Sequence, residues 1–389
     1  MIAVLRARMP AGPLTSVGIG DDAAVIAAPS GSVVAAVDML IEGRHFRREW
    51  SSAYDIGAKS AARSLADIAA MGAVNTALLV ALATPGALPA RWAAELGEGL
   101  AAEAARAGAG VVGGDTARAD AVALSVTALG DLEGRRPVLR SGARPGDIIA
   151  VAGTLGHSAA GLALLTAGFR PDPARTPAAG QSPRPDAPLP DAPLPDAPVP
   201  DAPLPALLPE SLAGLVTAHV RPAPPYDAGP EAARLGATAM IDVSDGLLAD
   251  LGHVAAESAV RIDIKSSSLP VHTSLVEAAA WLPASQPPPG TNAACSPGTV
   301  PADPVAHPDV PASKPGDPAP EPGDEARWRV MALQWVLTGG EDHALVAAFP
   351  VATPLPGRWQ VIGEVREGAG VTVDGTPHKG PGGWQHFSH

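Results

Sequence analysis

Apolar and polar positions along this chain follow two periods. Ala24–Ile26 and Val33–Val37 alternate every second residue on either side of Pro29-Ser30-Gly31, which predicts two short strands joined by a turn. From Asp55 to Ala73 the positions Ala61, Leu65, Ile68 and Gly72 recur at helical spacing and predict a helix with one face on a sheet. Thr76–Pro85 then reads as a strand closed by proline, and Ala90–Ala107 as an alanine-rich amphipathic helix. Val111-Val112 reads as a strand core, Gly113-Gly114 as a turn that lets backbone approach a ligand, and Ala121–Leu129 as a further strand. Strands alternating with crossover helices imply a mixed sheet.

A second unit starts near Leu139. Asp147–Ala152 predicts a strand, followed by a glycine turn and a helix from Ser158. Such a joint can hold a phosphate on free N–H groups or be a tight packing joint; the packing joint is favoured, because lone glycine patterns are weak signals. Ala237–Ser258 predicts a strand ending at Asp242 and a helix capped by Ser244 or Asp245, with the stripe Leu247, Leu251, Val254 and Ser258. Apolar residues lead to Gly339-Gly340, then Glu341-Asp342 and another strand, and Val361–Gly375 resembles a terminal hairpin.

Two stretches break both periods. Residues 171–209 contain four copies of a five-residue unit, DAPLP or DAPVP, and 283–324 is also proline-rich. Proline at this density disfavours helix and sheet and favours extended chain, so both segments are expected to be disordered surface insertions. A ligand for proline-reading domains is the lesser alternative. Most of the 44 prolines are concentrated in these two stretches, and the other segments divide as 1–137 and 138–389.

Composition narrows the function. The chain has 389 residues, is 46% hydrophobic and carries a net charge of −13, so a core is affordable in material while nucleic acid is an unexpected partner. No apolar run reaches the ~18 residues of a membrane span. The opening MIAVLRARMP is too short and charged for a signal peptide, and the single cysteine, Cys295, excludes an internal disulfide or a cysteine metal site. A cytoplasmic protein is expected.

The candidate chemistry is acidic. Asp22 (beside Asp21), Asp38, Asp67, Asp115 and the pair Asp242/Asp245 each stand near an element end beside small residues. Each has a bland explanation: turn bonds for Asp21 and Asp22, a surface Arg63–Asp67 pair, or a helix cap. Asp242, between strand and cap, escapes these explanations. Together they suggest a site for several Mg²⁺ ions serving phosphoryl transfer, in which metals do the work of scarce lysines. No Walker sequence or protein-kinase loop is present.

In order, GIGDDAAV, VDMLIEGRHF, SLADIAAMGA, GGDT, LRSGARPGD, IDVSDGL and TGGEDHAL resemble the motifs of the thiamine-monophosphate kinase family. That family belongs to the aminoimidazole ribonucleotide synthetase superfamily. The resemblance spans nearly the whole chain outside the two insertions. It implies an α/β (α+β) fold of two mixed domains, an N-terminal ATP- and metal-binding domain and a C-terminal domain, with the N-terminal sheets pairing across a homodimer. It implies ATP-dependent phosphorylation of thiamine monophosphate to thiamine diphosphate. The implied Mg²⁺ ligands are Asp22, Asp38, Asp67, Asp115, Asp242 and Asp245. Gly114, Asp115, Arg140 and Ser244 would contact the nucleotide, and His45, Glu341 and Trp384 the thiamine phosphate.

Four departures stand out. Ala36 and Val37 replace hydroxyl residues before Asp38, Ser64 replaces an asparagine, and His343-Ala344 replace Tyr-Glu. The start is also short of part of the family's first helix, as a misplaced start codon would leave it. The alternatives are a sister enzyme of the superfamily acting on another phosphorylated substrate, or a non-catalytic sensor of nucleotide or thiamine phosphate. Replacing 171–209 and 283–324 with short Gly/Ser linkers is expected to leave melting temperature and turnover nearly unchanged, since long surface loops cost little closure entropy. A large fall in either quantity would show an insertion packed on the enzyme.

Overall fold

The computed structural model describes residues 12–17, 25–170, 208–282, 324–378 and 382–383. Most of both proline-rich segments, together with Asp22 and Trp384, therefore lies outside the described residues. β1 (Thr15–Val17) pairs with β2 (Val25–Ile26). The sheet that follows is built from β3 (Val34–Ile41), β4 (Val74–Thr84), β5 (Gly110–Arg118) and β6 (Ala123–Asp131), in the order β3-β6-β4-β5. Helix α1 (Ala53–Ala70) precedes β4, and α2 (Ala90–Arg106) makes the crossover to the parallel strand β5.

The predicted Pro29-Ser30-Gly31 turn is present, but β2 and β3 do not form a hairpin: β3 instead pairs with β6 over eight residues, Val34–Ile41. Asp38 therefore lies mid-strand, opposite Val126, rather than at a strand end. The Gly113-Gly114 turn is also absent. β5 runs straight through both glycines, and the register shift opposite Leu78/Leu79 leaves Val112 as the extra residue of a bulge. Gly114 is required by packing: a Cβ there would stand 1.9 Å from the Val80 carbonyl oxygen.

The remaining chain builds β7 (Asp147–Ala152), α3 (His157–Thr166), α4 (Glu210–Val220), α5 (Ala228–Leu235), β8 (Ala239–Asp242), α6 (Leu247–Ser258) and β9 (Arg261–Ile264). After these come α7 (Thr273–Trp281), α8 (Asp324–Thr338), β10 (Leu345–Pro350), β11 (Gln360–Arg366), β12 (Gly370–Val373) and β13 (Thr376–Pro377). Their sheet has the order β13-β12-β9-β11-β7-β10-β8. The expected 361–375 hairpin is opened by β9, which lies between β11 and β12 and runs parallel to β12.

Both faces of this second sheet are covered. Leu345, Ala347 and Phe349 of β10 join one core with α1, α2 and the first sheet; Val346 and Ala348 join another with α3, α4, α6, α7 and α8. Double coverage explains why β7 and β10 read as unbroken apolar runs. Helix α1 belongs to the shared core, and fourteen of its eighteen residues are buried, so it is internal rather than one-faced. Its start is fixed by a capping box between Ser52 and Asp55, and Gly72, at φ 75°, stands just past its end. It meets α2 at glycines on both sides, where a Cβ on Gly57 would lie 2.1 Å from the Leu96 oxygen.

Candidate active site

Three elements converge on one end of α1. On the face of β3 that the helices cover, Asp38 is half-buried, and Ser64 Oγ of α1 reaches its Oδ2 at 3.4 Å while donating to the Val126 carbonyl at 3.0 Å. The serine that departs from the family pattern thus ties α1 to both β3 and β6. Asp67, one turn along, interacts with Asp38 and with Asp242, which ends β8 and is 3% exposed. Burial, then the charges of Asp242 and Asp38, push the Asp67 carboxyl up to about 8. Asp250, in the first turn of α6, is pushed up to about 8 by burial and by the charges of Asp242 and Asp245.

Arg63 lies among these carboxylates rather than on the surface with Asp67. Its side chain is 10% exposed, it ion-pairs with Glu341, and it stands 3.8 Å from Asp38. Lys59, one turn earlier and 1% exposed, pairs with Glu341 at 3.0 Å and donates to the His219 carbonyl at 2.9 Å. Burial pushes the Glu341 carboxyl up, but Lys59 and Arg63 outweigh it and hold it well below the usual carboxylate range.

The loop after α8 supplies the rest. The Glu341 N–H donates to the Ser244 carbonyl and the His343 N–H to the Val243 carbonyl, both at 2.8 Å. Asp342 accepts from the N–H groups of Gly156 and Ser158 at 2.6 and 2.8 Å, and burial pushes it up to about 7 against those bonds. The N-terminus of α3 is thus filled by the chain's own carboxylate, in agreement with the packing-joint expectation. His343 Nδ1 lies 3.1 Å from Asp242 Oδ2.

The predicted cap of α6 is corrected. The N-cap position is Gly246 rather than Ser244 or Asp245, and Asp250 Oδ2 accepts from the N–H groups of Asp245 and Gly246 at 3.1 and 3.0 Å. That bond shapes the turn on which Ser244 and Asp245 stand. His45 closes the turn after β3, its Nδ1 accepting from the Ile41 N–H at 3.0 Å. Arg140 is exposed beside β8, its carbonyl accepting from Ser258 Oγ at 3.0 Å.

Asp115 is not brought to this cluster. β3 and β5 are opposite edges of the first sheet, about 14 Å apart at ~4.8 Å per strand. Strand alternation also puts Asp115, opposite Ala81, on the uncovered face, whereas Asp38 faces α1. Asp250, Arg63, Lys59 and His343 were missed as site residues. Arg63 carried the clearest signal, lying four residues before Asp67 on the same helix.

Hard oxygen donors crowded enough to hold a proton on Asp67 fit Mg²⁺ in chemistry. Among the described residues no three of His, Cys, Asp and Glu are grouped tightly enough to grip an ion as they stand. Mg²⁺ does not demand such a cage, since it usually keeps waters and takes one or two carboxylates together with substrate phosphates.

The AIR synthase related protein, N-terminal domain, matches residues 20–132. The thiamine-monophosphate kinase of Mycobacterium tuberculosis is 39% identical over 381 residues, covering 98% of this chain and 88% of that protein. That of Corynebacterium glutamicum is 34% identical, covering 95% and 88%. Among solved structures, the thiamine-monophosphate kinase of Stenotrophomonas maltophilia K279a superposes with TM-score 0.67 at 29% identity, covering 96% of this chain and 95% of that one. AaThiL complexed with AMPPCP and TMP superposes with TM-score 0.66 at 27% identity, covering 96% and 93%.

The raised carboxyls predict a pH dependence. Unfolded chain releases the Asp67 proton near 3.8 and folded chain near 8, so between these values the folded state binds more protons and stability falls as pH rises. The melting temperature of metal-free protein is expected to decline from pH 5 to 8, less steeply in Asp67→Asn, and Mg²⁺ at pH 8 should recover more of it in the wild type. A flat wild-type profile, or equal slopes in the two proteins, would contradict the crowding.

Proposed function

The chain belongs to the thiamine-monophosphate kinase family, and we propose that it moves the γ-phosphoryl group of ATP in line onto the phosphate of thiamine monophosphate, giving thiamine diphosphate. ATP-dependent phosphorylation of thiamine monophosphate accords with AaThiL having been complexed with AMPPCP and TMP. The observation that carries the mechanism is the meeting of Asp38, Asp67 and Asp242 around the buried Arg63. Clustered charge of this kind, costly without a cation, suits a site built for metal-bridged phosphates.

Asp38, Asp67, Asp242 and Asp245 would hold Mg²⁺; Asp22 and Asp115 are proposed as further ligands, Asp115 apart from this cluster on the open face of the first sheet. Bound there, Mg²⁺ supplies charge neutralisation and alignment for two mutually repelling phosphates. Gly114, Arg140 and Ser244 would contact ATP. His45, Glu341 and Trp384 would contact thiamine phosphate, Glu341 from between the two α1 cations. The acceptor phosphate is already ionised at neutral pH, so the chain needs no general base, and no side chain is assigned as a covalent carrier.

A homodimer fits the open face of the first sheet, which exposes Val37, Met39 and Leu79. Covering that face with a second copy would also place Asp115 at a subunit junction. Among the described residues no helix is long and apolar enough to cross a membrane, and a cytoplasmic setting is part of the proposal. The division into an ATP- and metal-binding part, 1–137, and a C-terminal part, 138–389, is proposed in the same way.

The test incubates the protein with γ-labelled ATP and Mg²⁺, first alone and then with thiamine or thiamine monophosphate. Label is expected only in thiamine diphosphate. Label on the protein, or equal transfer to thiamine, would overturn in-line transfer to a phosphate; no transfer to either acceptor would favour a sensor.

A further inference from the structure

His343 departs from the family's tyrosine and sits in the most constrained part of the site. Its side chain is 2% exposed, and its backbone takes φ 52°, a left-handed conformation in which histidine, asparagine and aspartate are enriched among non-glycine residues. Its N–H is fixed to the Val243 carbonyl at 2.8 Å, so the ring has little freedom to leave Asp242. The Asp242 side chain is 5% exposed, and an ionised carboxylate only accepts hydrogen bonds. With the Asp242 carboxylate ionised, as metal binding requires, the contact of 3.1 Å between Nδ1 and Oδ2 assigns the ring hydrogen to Nδ1. Nε2, at the far side of the ring, is buried without a hydrogen-bond partner. An orphaned buried nitrogen is costly, so filling space alone is a poor account of a histidine here.

The groups that face Asp242 explain what the bond does. Asp67 and Asp250 both sense its charge, and Arg63 answers it from α1. A carboxylate between two others and a guanidinium has competing directions in which to turn. We propose that His343 is a positioning residue: its Nδ1–H holds one oxygen of Asp242, so that the other is presented toward the Asp38/Asp67 side for a divalent cation. This rests on the metal-site reading above. Outer hydrogen bonds to metal ligands commonly set affinity by about 10–100-fold.

Substitutions at this position separate positioning from packing. Asparagine tolerates positive φ and carries an N–H where histidine has Nδ1; glutamine is closer in size but lacks a donor at that place; leucine lacks one altogether. Titrating Mn²⁺ alone into each full-length protein, with the free ion followed by electron paramagnetic resonance, reads affinity without turnover. Melting temperature is recorded alongside. His343→Asn is expected to stay within about threefold of wild type, and His343→Gln and His343→Leu to weaken binding by about 10–100-fold. A role in filling space predicts the reverse order, with glutamine the better substitute, and a role confined to the left-handed backbone predicts falls in melting temperature that match the falls in binding; either result would overturn the proposal. Equal binding by all three, with Asp242→Asn defective, would overturn it while leaving the metal site standing. Absence of Mn²⁺ binding in the wild type would overturn both.

Discussion

Three consecutive side chains tie the loop after α8 to α1, to the N-terminus of α3 and to the end of β8. Glu341 reaches back 278 residues to Arg63 and also pairs with Lys59; Asp342 binds the N-terminus of α3; His343 meets Asp242 at the end of β8. Neighbouring residues can point three ways because Glu341 and His343 both take positive φ, 67° and 52°. Such conformations cost of order 1–3 kcal/mol each and persist only where the surroundings over-determine them. Here two backbone hydrogen bonds to Val243 and Ser244, two ion pairs and a helix N-terminus do so.

That junction explains the electrostatics of the site. Buried carboxylates on β3, α1, β8 and α6 repel one another, and Asp67 and Asp250 respond by holding protons. Arg63 and Lys59 do not neutralise the group, because Glu341 takes up much of their charge. Charge left unanswered in this way would favour a divalent cation, as the proposed phosphoryl transfer between two anions requires.

Local chemistry was legible wherever neighbours in sequence decide the structure. The strand Asp147–Ala152 and the helix ending at Ser258 appear where the apolar pattern puts them, and β8 ends at Asp242 as expected. Distant partners decided the failures. Asp38 reads as a strand end, but β6 carries the pairing on to Ile41. Gly113-Gly114 reads as a turn, but β4 zips alongside and absorbs Val112 as a bulge. Arg63–Asp67 has the spacing of a surface pair, yet α1 is buried between sheets and its true partner comes from near the other end of the chain. Of the acidic set, sequence order could not tell that Asp38, Asp67 and Asp242 meet while Asp115 faces away.

The central claim is that these three carboxylates act as one metal-dependent unit, and the Mg²⁺ dependence of turnover tests it most directly. With folding verified, Asp38→Asn, Asp67→Asn and Asp242→Asn should each lose about 10²-fold or more in rate at low Mg²⁺. Near-wild-type turnover at low Mg²⁺ in all three would contradict the account.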